Sequence, residues 1–186
     1  MSLNVAGLLR NSLLVLTLSL CVSPLFALEA DPEIDSTTLD KVTGYAGIKF
    51  GSPYEQLKDN LTLEQDRGSL KIYRPKNPTL LLGPAILETV LYYYFDGKFY
   101  GVALHTNDGQ DSMMLESILK KAFGKGGQGN PSQPSFVWLG KKNGALFDVN
   151  TSTGDSSAFI FDRELHDAYL SYEAKSIDAA SKQLIQ

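Results

Sequence analysis

The sequence predicts an α+β fold, a two-layer domain whose antiparallel sheet of about six strands carries helices mainly on one face. Three observations predict it. A helical segment followed by about three strand-like segments occurs twice along the chain. Asp96-Gly97 separates two runs rich in β-branched and aromatic residues, and Met114, Leu115, Ile118, Leu119 and Ala122 recur at helical spacing. No residue-level repeat accompanies the doubled order, which is therefore read as architecture.

Residues 1–27 have the pattern of an export signal. Arg10 is the only charge before Glu29, Ser12–Val22 is an apolar run rich in Leu, Pro24 breaks it, and Ala27 offers a small residue for cleavage. The run is shorter than the roughly 20 apolar residues that span a bilayer, so no stable transmembrane segment is expected. Cys21 sits at a depth suited to lipid attachment, but bulky Leu20 before it does not suit a lipoprotein peptidase. An exported, periplasmic protein is expected, with extracellular or lipid-anchored placement as alternatives.

Cleavage after Ala27 leaves 159 of the 186 residues, removes Arg10 and the only cysteine, and moves the net charge from −4 to −5. The mature chain then has neither a disulfide nor thiol chemistry. Its mild negative charge argues against nucleic acid as a partner.

Residues 28–44 carry Glu29, Asp31, Glu33, Asp35 and Asp40 with few large apolar side chains, and predict a flexible acidic leader. The α+β domain spans 45–161. It opens with a short strand over Tyr45–Gly51. Ser52-Pro53-Tyr54-Glu55 is a capping box with Pro at the first helical position, and predicts a helix over Pro53–Asn60.

Leu70–Arg74 predicts a strand, and Ala85–Phe95 a long one. Asp96-Gly97 is a two-residue hairpin turn, and Lys98–Thr106 is the returning strand. With Phe95 opposite Lys98, one face carries Thr89, Leu91, Tyr93, Phe95, Tyr100, Val102 and Leu104. The other carries Glu88, Val90, Tyr92, Tyr94, Phe99, Gly101, Ala103 and His105. Both faces are apolar, which puts the hairpin at the sheet centre.

Asp111–Phe123 is the second helix, with Lys120 and Lys121 in its last turns and Gly124 as its stop. A loop over Gly124–Pro134 follows, then strands over Ser135–Leu139, Ala145–Asn150 and Ser157–Phe161. Residues 162–186 form a C-terminal helical tail, from Leu165, Ala168, Tyr169 and Tyr172 at helical spacing.

Chemistry-bearing residues are sparse. Glu88 and His105 fall opposite each other in the expected hairpin, where a cross-strand charge pair explains them as well as half of a catalytic device does. Gly154-Asp155-Ser156-Ser157, with His166-Asp167, superficially resembles an esterase nucleophile, but its Ser pair opens a strand rather than a strand-to-helix elbow. The glycines from Gly124 to Gly129 follow a helix and lack the Lys-Ser/Thr of a phosphate loop. Asp148–Asp155 starts like a calcium loop but has Thr153 where Gly is needed. Two distant His and no mature Cys leave zinc without ligands. No metal, cofactor or catalytic residue is assigned.

The remaining concentration is aromatic. Tyr93, Phe95 and Tyr100 are expected in the core. Tyr92, Tyr94 and Phe99 share the opposite face, and with too few helices to cover both sides they become an exposed binding surface, extended by Trp138.

Gly47-Ile48-Lys49-Phe50-Gly51-Ser52, Tyr94-Phe95-Asp96-Gly97-Lys98-Phe99-Tyr100, and Leu115–Gly124 followed by Trp138 form a pattern. It resembles small bacterial periplasmic domains of unknown function with a Gly-Ile-x-Phe-Gly opening and a Tyr-x-Phe-Asp-Gly-Lys hairpin. A looser architectural similarity is to helix-plus-sheet modules of outer-membrane assembly factors and protein inhibitors. The resemblance implies binding of proteins or envelope components. The expected function is an exported non-catalytic binding module that recognises a protein or envelope component through a sheet face. The alternatives are a small periplasmic hydrolase using Glu88, His105 or the Ser156/Ser157 region, and a carrier of a lipid or small ligand.

Overall fold

The computed structural model describes residues 38–130 and 133–185. The expected signal segment and residues 28–37 of the expected leader lie outside the described residues.

An eight-stranded antiparallel sheet organises the chain. Its strands are β1 (Leu61–Arg67), β2 (Leu70–Pro75), β3 (Thr89–Phe95), β4 (Lys98–His105), β5 (Gly127–Gln128), β6 (Ser135–Leu139), β7 (Asn143–Val149) and β8 (Ser156–Asp162). The spatial order is β1-β2-β3-β4-β8-β7-β6-β5. The doubled order in the sequence is thus two four-stranded meanders, joined through the antiparallel pair β4·β8.

Two α-helices occur among the described residues, α1 (Gly109–Phe123) and α2 (Arg163–Leu184), and they take opposite faces of the sheet. The fold is therefore mostly β, which corrects the expected two-layer α+β arrangement of about six strands with helices on one face. The difference has local causes. The capping box does not start a helix, because the sheet has already claimed its backbone. Phe99 N–H donates to Ser52 O at 2.9 Å, Tyr54 N–H donates to Gly97 O at 2.8 Å, and Pro53 stays extended at ψ 144°. Only two single-turn 3₁₀ segments form, Tyr54–Gln56 and Lys58–Asn60.

The β3–β4 turn forms as expected, with Asp96 and Gly97 at φ 46° and 74°. Beyond it the register shifts. Tyr94 pairs with Phe99, but Tyr93 pairs with Gly101, so Tyr100 is the extra residue of a β-bulge. Gly is needed there because a Cβ on residue 101 would lie 2.5 Å from the Phe159 ring. The slip turns Val102 and Leu104 to the face of Tyr92, and places Thr89 rather than Glu88 opposite His105.

The front face carries the main core. Val90, Tyr92, Tyr94, Phe99, Val102, Leu104, Trp138, Phe147 and Ile160 pack under Leu115 and Leu119 of α1. Asp108 caps α1 by accepting from Asp111 N–H at 2.8 Å, and Gly124 ends it at φ 91°. The remaining cover is a segment of short elements, a paired strand couple Gly44–Tyr45 and Ile48–Lys49 followed by the 3₁₀ turns, with Val42, Tyr45, Ile48, Phe50, Tyr54 and Leu57 packed against the same cluster. On the back face, α2 is capped by Asp162, and its first turns pack Leu165 and Tyr169 on Leu70, Phe95, Tyr100 and Phe161.

The described end of the expected leader is tied down. Leu39 is fully buried, and the Asp40 carboxylate accepts from the N–H groups of Lys141 (2.9 Å), Lys142 (2.7 Å) and Asn143 (3.3 Å) at the β6–β7 turn. Burial pushes this carboxyl up, but the three amides and the Lys142 charge outweigh it and hold it below the usual carboxylate value. A lowered folded pKa stabilises above the unfolded value and is lost as pH falls through the folded one. The clamp should therefore be intact at neutral pH and release only below the ordinary carboxylate value of about 3.9. Amide exchange at Lys142 followed down the pH scale checks this. In Asp40→Ala, exchange should be fast at every pH, and a protected Lys142 amide there would refute the clamp.

Candidate functional site

All four residues expected at an exposed surface are interior. Tyr92, Tyr94, Phe99 and Trp138 are 6%, 1%, 0% and 0% exposed. Tyr92 meets Tyr45 and Phe99 edge-on, and Phe50 stacks on Phe99 at 5.5 Å. Burial pushes the Tyr92 hydroxyl up to about 12, with a smaller contribution from Tyr45. Trp138 donates its indole N–H to Gly124 O at 2.9 Å under α1. These four side chains hold the front layer together and present no platform to solvent.

The exposed sheet surface lies on the back. Leu91, Ala103, Phe159, Leu146 and Val137 are direct neighbours in successive pairings across β3, β4, β8, β7 and β6. All but Ala103 are partly exposed. A parallel row of Thr89, His105, Ser157, Asp148 and Ser135 borders them on the side away from α2. Period-2 alternation in each strand is the signal that finds the row, but the β4 bulge hides Ala103 from it.

The residues weighed for hydrolysis are only partly brought together. Ser157 and His105 are cross-strand partners. No hydrogen bond joins them among the described residues, and His105 Nε2 is buried without a partner. Burial lowers the His105 pKa, against attraction from Glu88 and Asp155. Ser156 faces the other way. Its hydroxyl lies 2.9 Å from Thr106 Oγ1, which is 2.7 Å from Ser112 Oγ, in a buried network fixing α1 to β8. His166 sits under α2 against Phe161 at 4.3 Å, so Ser156 and His166 are on opposite faces.

A concave region lies where β1 turns into β2 and β3 into β4. Tyr54 stacks on Tyr73 with centroids 4.6 Å apart, and Tyr94 meets the two rings edge-on at 5.9 and 5.3 Å. A pocket of ≈ 430 Å³ opens beside them, with Glu55, Lys71 and Asp96 also lining it. Burial raises the Tyr73 and Tyr94 hydroxyl pKa values, and neighbouring tyrosines add to both shifts. Only Tyr94 of the four expected residues lines this pocket. Sequence spacing gives no sign that Tyr54, Tyr73 and Tyr94 meet.

Among the described residues no group of three or more His, Cys, Asp and Glu side chains is placed to hold a metal ion. No described helix is long and apolar enough to cross a membrane. No protein-family model matches the chain, and no curated protein or solved structure matches it.

Proposed function

We propose that the protein is an exported, non-catalytic binding module that recognises a protein or envelope component through the open part of its back sheet face. The observation that carries this reading is the row Leu91–Ala103–Phe159–Leu146–Val137, aligned across five strands and partly exposed at all but Ala103, with Leu146 and Phe159 at the margin of the cluster under α2. Contiguous apolar surface bordered by polar residues is the usual mark of an interaction site. The polar border here mixes hydroxyls, an imidazole and the Asp148 carboxylate, which orient a partner without fixing it covalently. Export rests on the pattern of residues 1–27.

The test uses the full chain and its native envelope extract. Leu146→Gln combined with Val137→Gln should lower partner capture by about tenfold or more, with the melting temperature changed by no more than about 3 °C. Tyr92→Phe, on the covered front face, should leave capture unchanged. Unchanged capture by the double variant would refute the surface.

A further inference from the structure

α2 is held to the sheet at one end only. Arg163 N–H donates to Lys142 O at 2.8 Å, the Arg163 guanidinium donates to Gly140 O at 2.6 Å, and Asp162 accepts from Leu165 N–H at 2.9 Å. Past this anchor, Leu165, His166, Tyr169 and Tyr172 pack on the back face, and residues 174–185 are all exposed. The eight strands pair only with one another, and the main core lies on the opposite face, so neither depends on α2. A segment with few buried contacts and no place in the sheet ladder opens locally at low cost.

His166 sits in the middle of that contact. Its ring centroid lies 4.3 Å from Phe161, 6.0 Å from both Phe159 and Tyr100, and 6.3 Å from Tyr169. Nδ1 is buried and has no hydrogen-bond partner among the described residues. A neutral imidazole can leave a bare lone pair there, but an imidazolium carries N–H on both nitrogens. Protonation therefore puts a charged donor among aromatic rings with no acceptor, which is costly. His166 is also the fourth residue of α2, in the turn where the helix dipole is positive. From the sheet, the facing residues are Tyr100 of β4 and Phe159 and Phe161 of β8. Burial raises the Tyr100 hydroxyl pKa, so all three stay neutral in mild acid. Burial lowers the His166 pKa, against attraction from Asp167 and Glu173 on its own helix.

We propose that α2 is an acid-released cover on the back face, freed beyond its anchored start when the His166 ring gains a proton among Phe159, Phe161 and Tyr100. Release bares Phe95, Tyr100 and Phe161, which are buried while α2 is docked. These residues join the apolar row, because Leu146 and Phe159 already belong to both. The wider face serves binding only if the row is the partner site, whereas the release itself requires no partner. A histidine whose folded pKa is lowered stabilises the docked helix fully above its unfolded value, about 6.5, and ceases to do so as pH falls through the folded one.

Hydrogen exchange on the full chain, corrected for intrinsic rates, tests this between about pH 7.5 and about pH 5, above the ordinary carboxylate values of about 3.9–4.3. Protection of residues 165–172 should fall severalfold, and by at most about 30-fold, the ceiling that an exposed histidine of pKa about 6.5 sets at about pH 5. Amides of β8 should keep theirs. His166→Phe keeps a ring that cannot titrate and should abolish the change. His166→Gln should abolish it too, without the larger ring. His105→Gln removes the other histidine and should leave the change intact. An α2 indifferent to pH in the unmodified protein would overturn the proposal. So would better protection in acid, the result if the Phe161 face holds the cation. A response that survives both His166 variants, or disappears in His105→Gln, would overturn it as well. Partner capture does not enter these readouts, so the release and the binding surface fail separately.

Discussion

Trp138→Ala is expected to destabilise the protein by about 3–5 kcal/mol, lowering the melting temperature by roughly 10 °C. The side chain is 0% exposed, with Phe136 and Phe123 rings 6.0 and 6.2 Å away. Its removal leaves a cavity beneath the end of α1 and deprives the Gly124 carbonyl of its indole donor. Little can collapse into the space from the neighbouring loop. Gly126 sits at φ 73°, where a Cβ would lie 2.7 Å from the indole, so the chain is already in contact there. Trp138→Phe should fall between the two, restoring ring volume but not the N–H. Urea denaturation measures both. A loss under about 1 kcal/mol in Trp138→Ala would show that the indole is not part of the core.

Asn143→Ala is expected to cost about 2–4 kcal/mol and to loosen the segment before β1. The Asn143 side chain is buried, and its Nδ2 donates to Leu39 O at 3.0 Å and Val42 O at 2.7 Å. Alanine removes both bonds, so that Val42 O loses its Asn143 donor while Leu39 O keeps the Val42 N–H at 3.0 Å. Leu39 then loses the anchor that keeps it in the core. Denaturation gives the energy, and limited proteolysis near Asp40–Thr43 gives the place. Unchanged protease resistance would mean that Asp40 alone holds the segment.

These two residues show what was legible. The β3–β4 turn, α1, β6 and the start of α2 carried local signals, in Asp96-Gly97, Leu115/Leu119, the Ser135–Leu139 run and the Leu165/Ala168/Tyr169 spacing, and they lie where the sequence predicts, although β3 begins at Thr89 and Ala85–Ile86 pairs separately with Leu81–Leu82. β1 was missed because it is an edge strand. Five of its seven residues are exposed, Glu64, Asp66 and Arg67 break any apolar alternation, and a bulge near Glu64 interrupts its register. The cover over Tyr92, Tyr94 and Phe99 was missed for a different reason. Counting α-helices leaves that face bare, whereas much of the cover comes from two- and three-residue strands and 3₁₀ turns between Leu39 and Leu57. That packing depends on contacts over about a hundred residues, such as Asn143 with Leu39, which no sequence window contains.

The back-face site shared this limit. Leu91, Leu146 and Phe159 were each on strands that the sequence predicts, but their alignment across five strands depends on pairing order. The bulge at Tyr100–Gly101 then reverses the expected facing of half of β4.

The strand order also bears on how the chain reaches this structure. Within each meander every strand pairs with its neighbour in sequence, and β4·β8 is the one pairing in the large sheet that is not sequential. Loop-closure entropy grows with the chain enclosed, so the conformational search concentrates in that seam. The meanders can each assemble from local hairpins before it closes. The Thr106–Ser112–Ser156 hydroxyl network then fastens the first meander, α1 and the second at a single point, making seam closure and helix docking one cooperative event.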